Sequence, residues 1–242
     1  LCTLAYLHTY NPPINLKIAS NITTVFCPIE MDRSNPISLK NNNKPVANTL
    51  ARWQSASKNL FVWDYTVQFA NYMSPFPNLS YFEENYTTFK ANNVKGLFVQ
   101  GYADVPGDFS ELRQYLLAKL LWDASIDVKA TTADFLRGFY GKAASEIENY
   151  LKLLSENQKK SKAYLDIYSG PVQNRTTYLT PEAMNQYDKI LEKAWQAVDE
   201  DKTIQKRVEK LRLALEYTYF EQAKFYGADA HGLFITNSNG EK

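Results

Sequence analysis

Three carboxylates, one imidazole and several aromatic rings stand where the apolar runs of the first hundred residues give way to polar sequence. Leu1–Tyr10 closes on His8 and Tyr10, and Ile22–Glu30 closes on Glu30, with Asp32 just beyond. Asn59–Tyr65 closes on Asp64 and Tyr65, and Lys95–Gln100 on Gln100. Two carboxyl groups facing each other across a glycosidic bond can protonate the leaving oxygen and activate a water or attack the sugar. Aromatic rings beside them suit the apolar faces of a pyranose. If the runs are strands, alternate residues share a face. His8 then stands with Tyr6 and Tyr10, Glu30 with Phe26 and Asp32, and Asp64 with Val62. Glu30 and Asp64 are accordingly the candidate catalytic acids. His8, Tyr10, Asp32, Tyr65 and Gln100 are candidate substrate contacts. Phe76 joins them, held between Pro75 and Pro77 in a stiff loop with Tyr72 nearby. A plainer use exists for each group: acids after strands cap the next helix or pair with Arg33, and His8 serves as a hydrogen-bonded wall.

The elements that must position these groups alternate. Ile22–Glu30 is rich in β-branched residues, and Asn59–Tyr65 (NLFVWDY) is apolar enough for a strand buried on both faces. Between them Pro45–Ala56 carries Val46, Leu50 and Trp53 at helical spacing, and Leu79–Asn92 carries Phe82, Tyr86 and Phe89. From Asp108 onward the pattern is helical. Asp108 and Glu111 have capping-box spacing before Leu112–Leu121. Helices are predicted over Thr131–Tyr140, Ala143–Tyr168, Thr180–Asp199 and Asp201–Tyr226. The last repeats Ile204, Val208, Leu211, Leu215 and Tyr219 near a heptad, as in an antiparallel bundle. The tail Gly232–Lys242 begins a strand or frays.

The fold class expected is therefore α/β: about four parallel strands followed by a helical bundle, divided into residues 1–125 and 126–242. A small open sheet would carry a Gly-rich phosphate turn after its first strand, and none is present. Half of an eight-stranded barrel fits better, because barrels place functional residues at the carboxyl ends of their strands.

Composition bounds the alternatives. The 242 residues are 45% apolar and 22% charged, with 27 basic and 26 acidic side chains. Such a balance excludes disorder and gives no one-signed face for nucleic acid. No run reaches the roughly 18 apolar residues of a membrane helix. With two histidines far apart there is no metal-ligand spacing, and nothing calls for a cofactor. Cys2 and Cys27 read as two buried free thiols. Asn-x-Ser/Thr triplets begin at Asn21, Asn78, Asn85 and Asn174. The chain starts inside an apolar run, which suggests a piece of a longer protein.

The segments NLFVWDYTVQFANYMSPFPNL, KGLFVQG and FSELRQYLLAKLLWD resemble the domain of unknown function (DUF) 4838 family, over about Leu1 to Tyr168. That family occurs in large secreted proteins of polysaccharide-degrading bacteria. It is regarded as glycoside-hydrolase-like, similar to the α-glucuronidases of glycoside hydrolase family 67. The resemblance implies the C-terminal half of a (β/α)8 barrel, strands five to eight, with Glu30 and Asp64 on strands six and seven. The general acid would then come from strand four, outside these residues. Where the family often has an acid before the Gln of its last strand motif, this chain has Val99. The implied partners are a carbohydrate and either the rest of the barrel or a second copy. The implied location is secreted, periplasmic or cell-surface. A non-catalytic carbohydrate-binding module and a helical scaffold for a protein partner remain as alternatives.

Overall fold

The computed structural model describes residues 1–102 and 107–234. Four strands, β1 (Cys2–Ala5), β2 (Thr23–Phe26), β3 (Asn59–Tyr65) and β4 (Gly96–Gln100), form one parallel sheet in the order β1-β2-β3-β4. Helix α1 (Lys44–Ala56) joins β2 to β3, α2 (Phe82–Ala91) joins β3 to β4, and α3 (Ser110–Trp122) follows β4. Parallel neighbours need such crossovers, so the βα reading of the sequence holds from Thr23 onward. A 3-10 turn and an irregular segment, with no α-helix, link β1 to β2. Ile18 N–H donates to the carbonyl of Ala56, and Trp53 Nε1 donates to that of Tyr10, which pins this segment against α1.

Alternation gives the sheet two unlike faces. Ala5, Phe26, Leu60 and Val62 are buried against Leu50 and Trp53 of α1, Tyr86 and Phe89 of α2, and Leu112 and Leu116 of α3. The opposite face bears Leu4, Val25, Phe61, Trp63 and Phe98, and no helix of the described residues covers it: Leu4, Phe61 and Phe98 are exposed. The Phe61 ring lies across β4 at Gly96, where a side chain would overlap it.

Helices α4 (Val128–Tyr140), α5 (Ala144–Ser161), α6 (Pro181–Gln196) and α7 (Lys202–Tyr226) complete the described chain. Thr180 Oγ1 caps α6 through Ala183 N–H, and Asp201 Oδ1 caps α7 through Thr203 and Ile204 N–H. Val208, Leu211 and Leu215 of α7 are buried, as their spacing predicts, and share one core with Tyr150 of α5 and Leu191 of α6. That core is continuous with the helix-covered face of the sheet, where the rings of Phe109 and Tyr150 stack at 5.7 Å.

Several expected boundaries move. The strand expected over Leu1–Tyr10 ends at Ala5, because Leu7 takes a left-handed φ of 47° and a 3-10 turn follows over Leu7–Thr9. The next one ends at Phe26, two residues before Pro28, which has no N–H to continue a ladder. The helix expected to reach Tyr168 stops at Ser161, where Lys162 adopts φ 56°. The capping box does not form: Phe109 occupies the N-cap of α3 at φ 51°, and Asp108 turns inward. Cys2 is exposed while Cys27 is buried, and both are free. Asn78, Asn85 and Asn174 are buried, which leaves Asn21 as the exposed triplet. The tail from residue 235 lies outside the described residues.

Candidate functional site

The loops that follow β2 and β3 are tied down by two buried arginines. Arg33, in the turn after β2, donates from Nε to the carbonyl of Tyr65, from one terminal nitrogen to those of Ile29 and Met31, and from the other to that of Pro28. Arg113, on α3, donates to the carbonyls of Thr66 and Phe76, each at 3.1 Å, and to Asn78 Oδ1. Its partner carboxylate is Asp108, 3.9 Å away, with both side chains 1% exposed. Buried guanidinium groups whose terminal nitrogens bond several fixed acceptors act as templates, although Arg113 Nε itself is buried without a partner among the described residues. Here they set the paths of the loops after β2 and β3, the first of which holds Glu30 and Asp32.

Asp32 is enclosed in such a loop. Its oxygens accept from Ser34 N–H (2.9 Å), Ser34 Oγ (2.6 Å), Asn35 Nδ2 (2.8 Å), Asn42 Nδ2 (3.0 Å) and Leu165 N–H (3.3 Å). Burial alone would raise its pKa, but these bonds together outweigh it and hold the carboxyl below its ordinary value. Asp32 therefore organises the turn, with both carboxylate oxygens taken up by internal donors.

Asp64 is placed differently from the sequence expectation. It shares the face of Leu60 and Val62, so it points toward α2 and is 3% exposed. The cavity beside it, lined by Met31, Arg33, Thr66, Asn78, Phe82 and Asn85, measures about 10 Å³, room for about one water molecule. Burial pushes its pKa up, against the nearby charge of Arg33 and the bond from Tyr65 N–H. Phe76 is likewise in the core at 1% exposure, not on a wall of an open cleft. Its neighbouring prolines stiffen a segment that Arg113 and Asp108 grip by its backbone.

Glu30 is the one of the three acids that is exposed. Tyr168 Oη donates to its Oε1 at 3.1 Å, and Tyr164 Oη donates to its main-chain carbonyl at 2.7 Å. Both tyrosines belong to the loop after α5, which the premature end of that helix releases. The loop is anchored by Arg33 N–H on the carbonyl of Leu165 and by Ala70 N–H on that of Ile167, at 2.8 and 3.0 Å. Burial and then Glu30 raise the phenols of Tyr10 and Tyr168 to about 12. Tyr10 thus shares the electrostatic surroundings of Glu30, although its ring packs on Phe26 at 5.1 Å. His8 is exposed on the turn after β1, with no side-chain hydrogen bond among the described residues.

Tyr65 and Gln100 point to the face without helices, where Ile167 of the loop after α5 covers Tyr65 and leaves Gln100 half-buried. The Tyr65 ring lies 6.3 Å from that of Trp63, and Trp63 Nε1 donates to Gln100 Oε1 at 3.0 Å. Glu30, Tyr10 and Gln100 therefore line the strand ends, while Asp32, Asp64 and Phe76 are enclosed and Tyr65, expected as a sugar contact, is buried against Cys27 and Ile167. Trp63, Tyr164 and Tyr168 were not among the expected site residues. The two tyrosines were masked by a helical pattern that runs unbroken past Ser161. The signal for a loop was the Asp166…Ser169-Gly170-Pro171 run, in which Asp166 Oδ1 accepts from Tyr168 and Ser169 N–H.

The model of the family described as "Domain of unknown function (DUF4838)" matches residues 1–152, well over half of the chain. The chain belongs to the DUF4838 family. No curated protein and no solved structure matches it significantly. The family match takes in the whole sheet of this DUF4838 chain, both buried arginines and Glu30. Tyr164 and Tyr168 lie beyond it. Among the described residues no three His, Cys, Asp or Glu side chains converge as a metal set. No described helix is long and apolar enough to cross a membrane.

Proposed function

We propose that this DUF4838 chain supplies half of a carbohydrate site of glycoside-hydrolase type, at the carboxyl ends of a half barrel. Glu30 is its acidic group and Tyr10 and Gln100 are its sugar contacts. The observation that supports this most directly is the exposed Glu30 carboxylate, oriented by Tyr168 at the rim where barrel folds carry their chemistry. Hydrolysis needs a second carboxyl group across the scissile bond. Asp64 does not qualify in this arrangement, since it faces α2 from inside the core. The second acid has to come from strands that pair with β1 or β4. Without it, the same rim binds sugar and leaves it uncut, which is the second reading.

The test is Glu30→Gln in the full-length protein, assayed on plant and microbial polysaccharides for both reducing-end release and binding. Removal of an acid–base group costs about 10²–10⁴-fold in turnover while binding changes little. Loss of binding with no turnover in either protein selects the non-catalytic reading. A wild-type protein that binds none of the glycans overturns both.

A further inference from the structure

The loop after β3 presents an aromatic ring that the Glu30 rim does not use. Phe69 is 50% exposed. Its ring meets that of Tyr72 edge to face at 5.8 Å, and Tyr72 meets Tyr102 in the same way at 5.6 Å. Tyr102 is fixed in turn, its hydroxyl donating to the carbonyl of Asp108 at 2.8 Å. At Gly107 a side chain would overlap both the Tyr102 ring and the carbonyl of Tyr72, so the base of the stack is closely packed.

Hydrogen bonds on both sides of Phe69 hold it in place. Gln68 Nε2 donates to Ser169 Oγ at 3.1 Å, Ala70 N–H to the carbonyl of Ile167 at 3.0 Å, and Asn71 Nδ2 to the carbonyl of Ser169 at 3.0 Å. Tyr217 Oη of α7 donates to Asn71 Oδ1 at 2.6 Å. A half-exposed phenyl ring contributes little to folding, yet its neighbours are fixed from two other elements. Pre-ordering of this kind lowers the entropy lost when a ligand docks.

We propose that Phe69, backed by Tyr72, is a stacking platform for one pyranose ring of a neutral oligosaccharide whose chain continues to the Glu30 rim. This rests on the carbohydrate reading of that rim. Three observations select the ligand. Gln68, Ala70, Asn71, Tyr72, Ser169 and Gly170, which flank the ring or hold its loop, are all uncharged, so no ionic partner is called for. A single flat ring bordered by amides and hydroxyls matches a pyranose, whose C–H face is apolar and whose edge is polar. The platform and the rim are also joined through one loop: Ile167 holds Ala70, and the next residue, Tyr168, holds Glu30.

The experiment is calorimetric titration of the full-length protein and its Phe69→Ala and Phe69→Tyr variants with neutral hexasaccharides of the xylan, mannan and cellulose series. Thermal unfolding is followed in parallel. Phe69→Ala is expected to weaken the bound hexasaccharide about tenfold, as loss of one stacking ring does. Phe69→Tyr should recover wild-type affinity, and all three proteins should unfold at the same temperature. Equal affinity of wild type and Phe69→Ala for a hexasaccharide the wild type binds overturns the platform and leaves the rim reading intact. A wild type that binds no hexasaccharide, while holding longer polysaccharide unaffected by Phe69→Ala, also overturns it. A wild type that binds no glycan of any length overturns the rim reading and the platform with it.

Discussion

Asp108 and Glu30 carry the same functional group in opposite degrees of hydration. Glu30 reaches solvent and keeps one phenolic partner, whereas Asp108 is fully enclosed beside Arg113 and Phe76 N–H. Burial raises the Asp108 pKa to about 6, although Arg113 and the Phe76 amide both pull it down. The folded state therefore holds a proton there over a range of pH in which the unfolded chain has lost it. Stability from this group is fully present below the ordinary Asp value near 3.8 and is lost as pH rises through about 6. Asp108→Asn keeps an oxygen for Phe76 N–H and has no proton to lose. Between pH 4 and pH 7 the wild type is expected to lose on the order of 1–3 kcal/mol from this source, and the variant's urea midpoint should stay level across that interval. Parallel curves for the two proteins would refute the assignment. The neighbouring acids show why residue type alone could not sort them: Asp32 is satisfied by five donors, and Asp64 is turned toward a helix by a register one position from that of Tyr65.

At the level of elements, most of the fold was legible because periodicity and stop signals agreed. The strand over Asn59–Tyr65 and the helix at Pro45 follow from their apolar patterns, and the Thr180-Pro181 and Asp201 starts from pattern and capping chemistry together. The site was less legible, since facing depends on where a strand ends. Alternation places Glu30 and Asp32 on the face of Phe26 only if the strand reaches them, but β2 stops at Phe26 and alternation no longer governs them. The end of α5 was hidden for a different reason. Lys162 takes the left-handed conformation at φ 56° and ψ 28° without being glycine, and nothing in the residue types marks that choice. This conformation costs an L-residue about 1 kcal/mol that glycine does not incur. Lys162→Gly is thus expected to stabilise the chain by about 0.5–1 kcal/mol, visible as a rise of a few degrees in Tm. The Tyr164 and Tyr168 contacts to Glu30 should be unaltered. A fall in Tm would mean that α5 continues past Ser161 in solution and that the loop carrying both tyrosines is not formed there.

For the whole molecule, the uncovered face of the sheet sets the strongest demand. Four parallel strands cannot close a barrel, and β1 and β4 each have one edge unpaired among the described residues. Parallel sheets are stable when both faces are covered. Here Phe98 is 54% exposed and Leu4 45%, beside the half-buried Trp63. Exposed apolar faces and free strand edges together drive pairing with another sheet, and eight strands is the number that side chains can fill. A second four-stranded unit, either from the same protein or from another copy, meets both demands at once. It would also place a second set of strand ends opposite Glu30, where the proposed hydrolysis calls for a second carboxyl group. The 242-residue chain on its own is therefore expected to sediment as a dimer or larger species. Phe98→Asp puts a charge in the middle of that face without touching the helix-covered core, and it should return the chain to a monomer with its helical circular dichroism intact. A wild-type monomer at tens of micromolar would show that the face is stable in water, and the half-barrel account of this DUF4838 chain would then lose its physical basis.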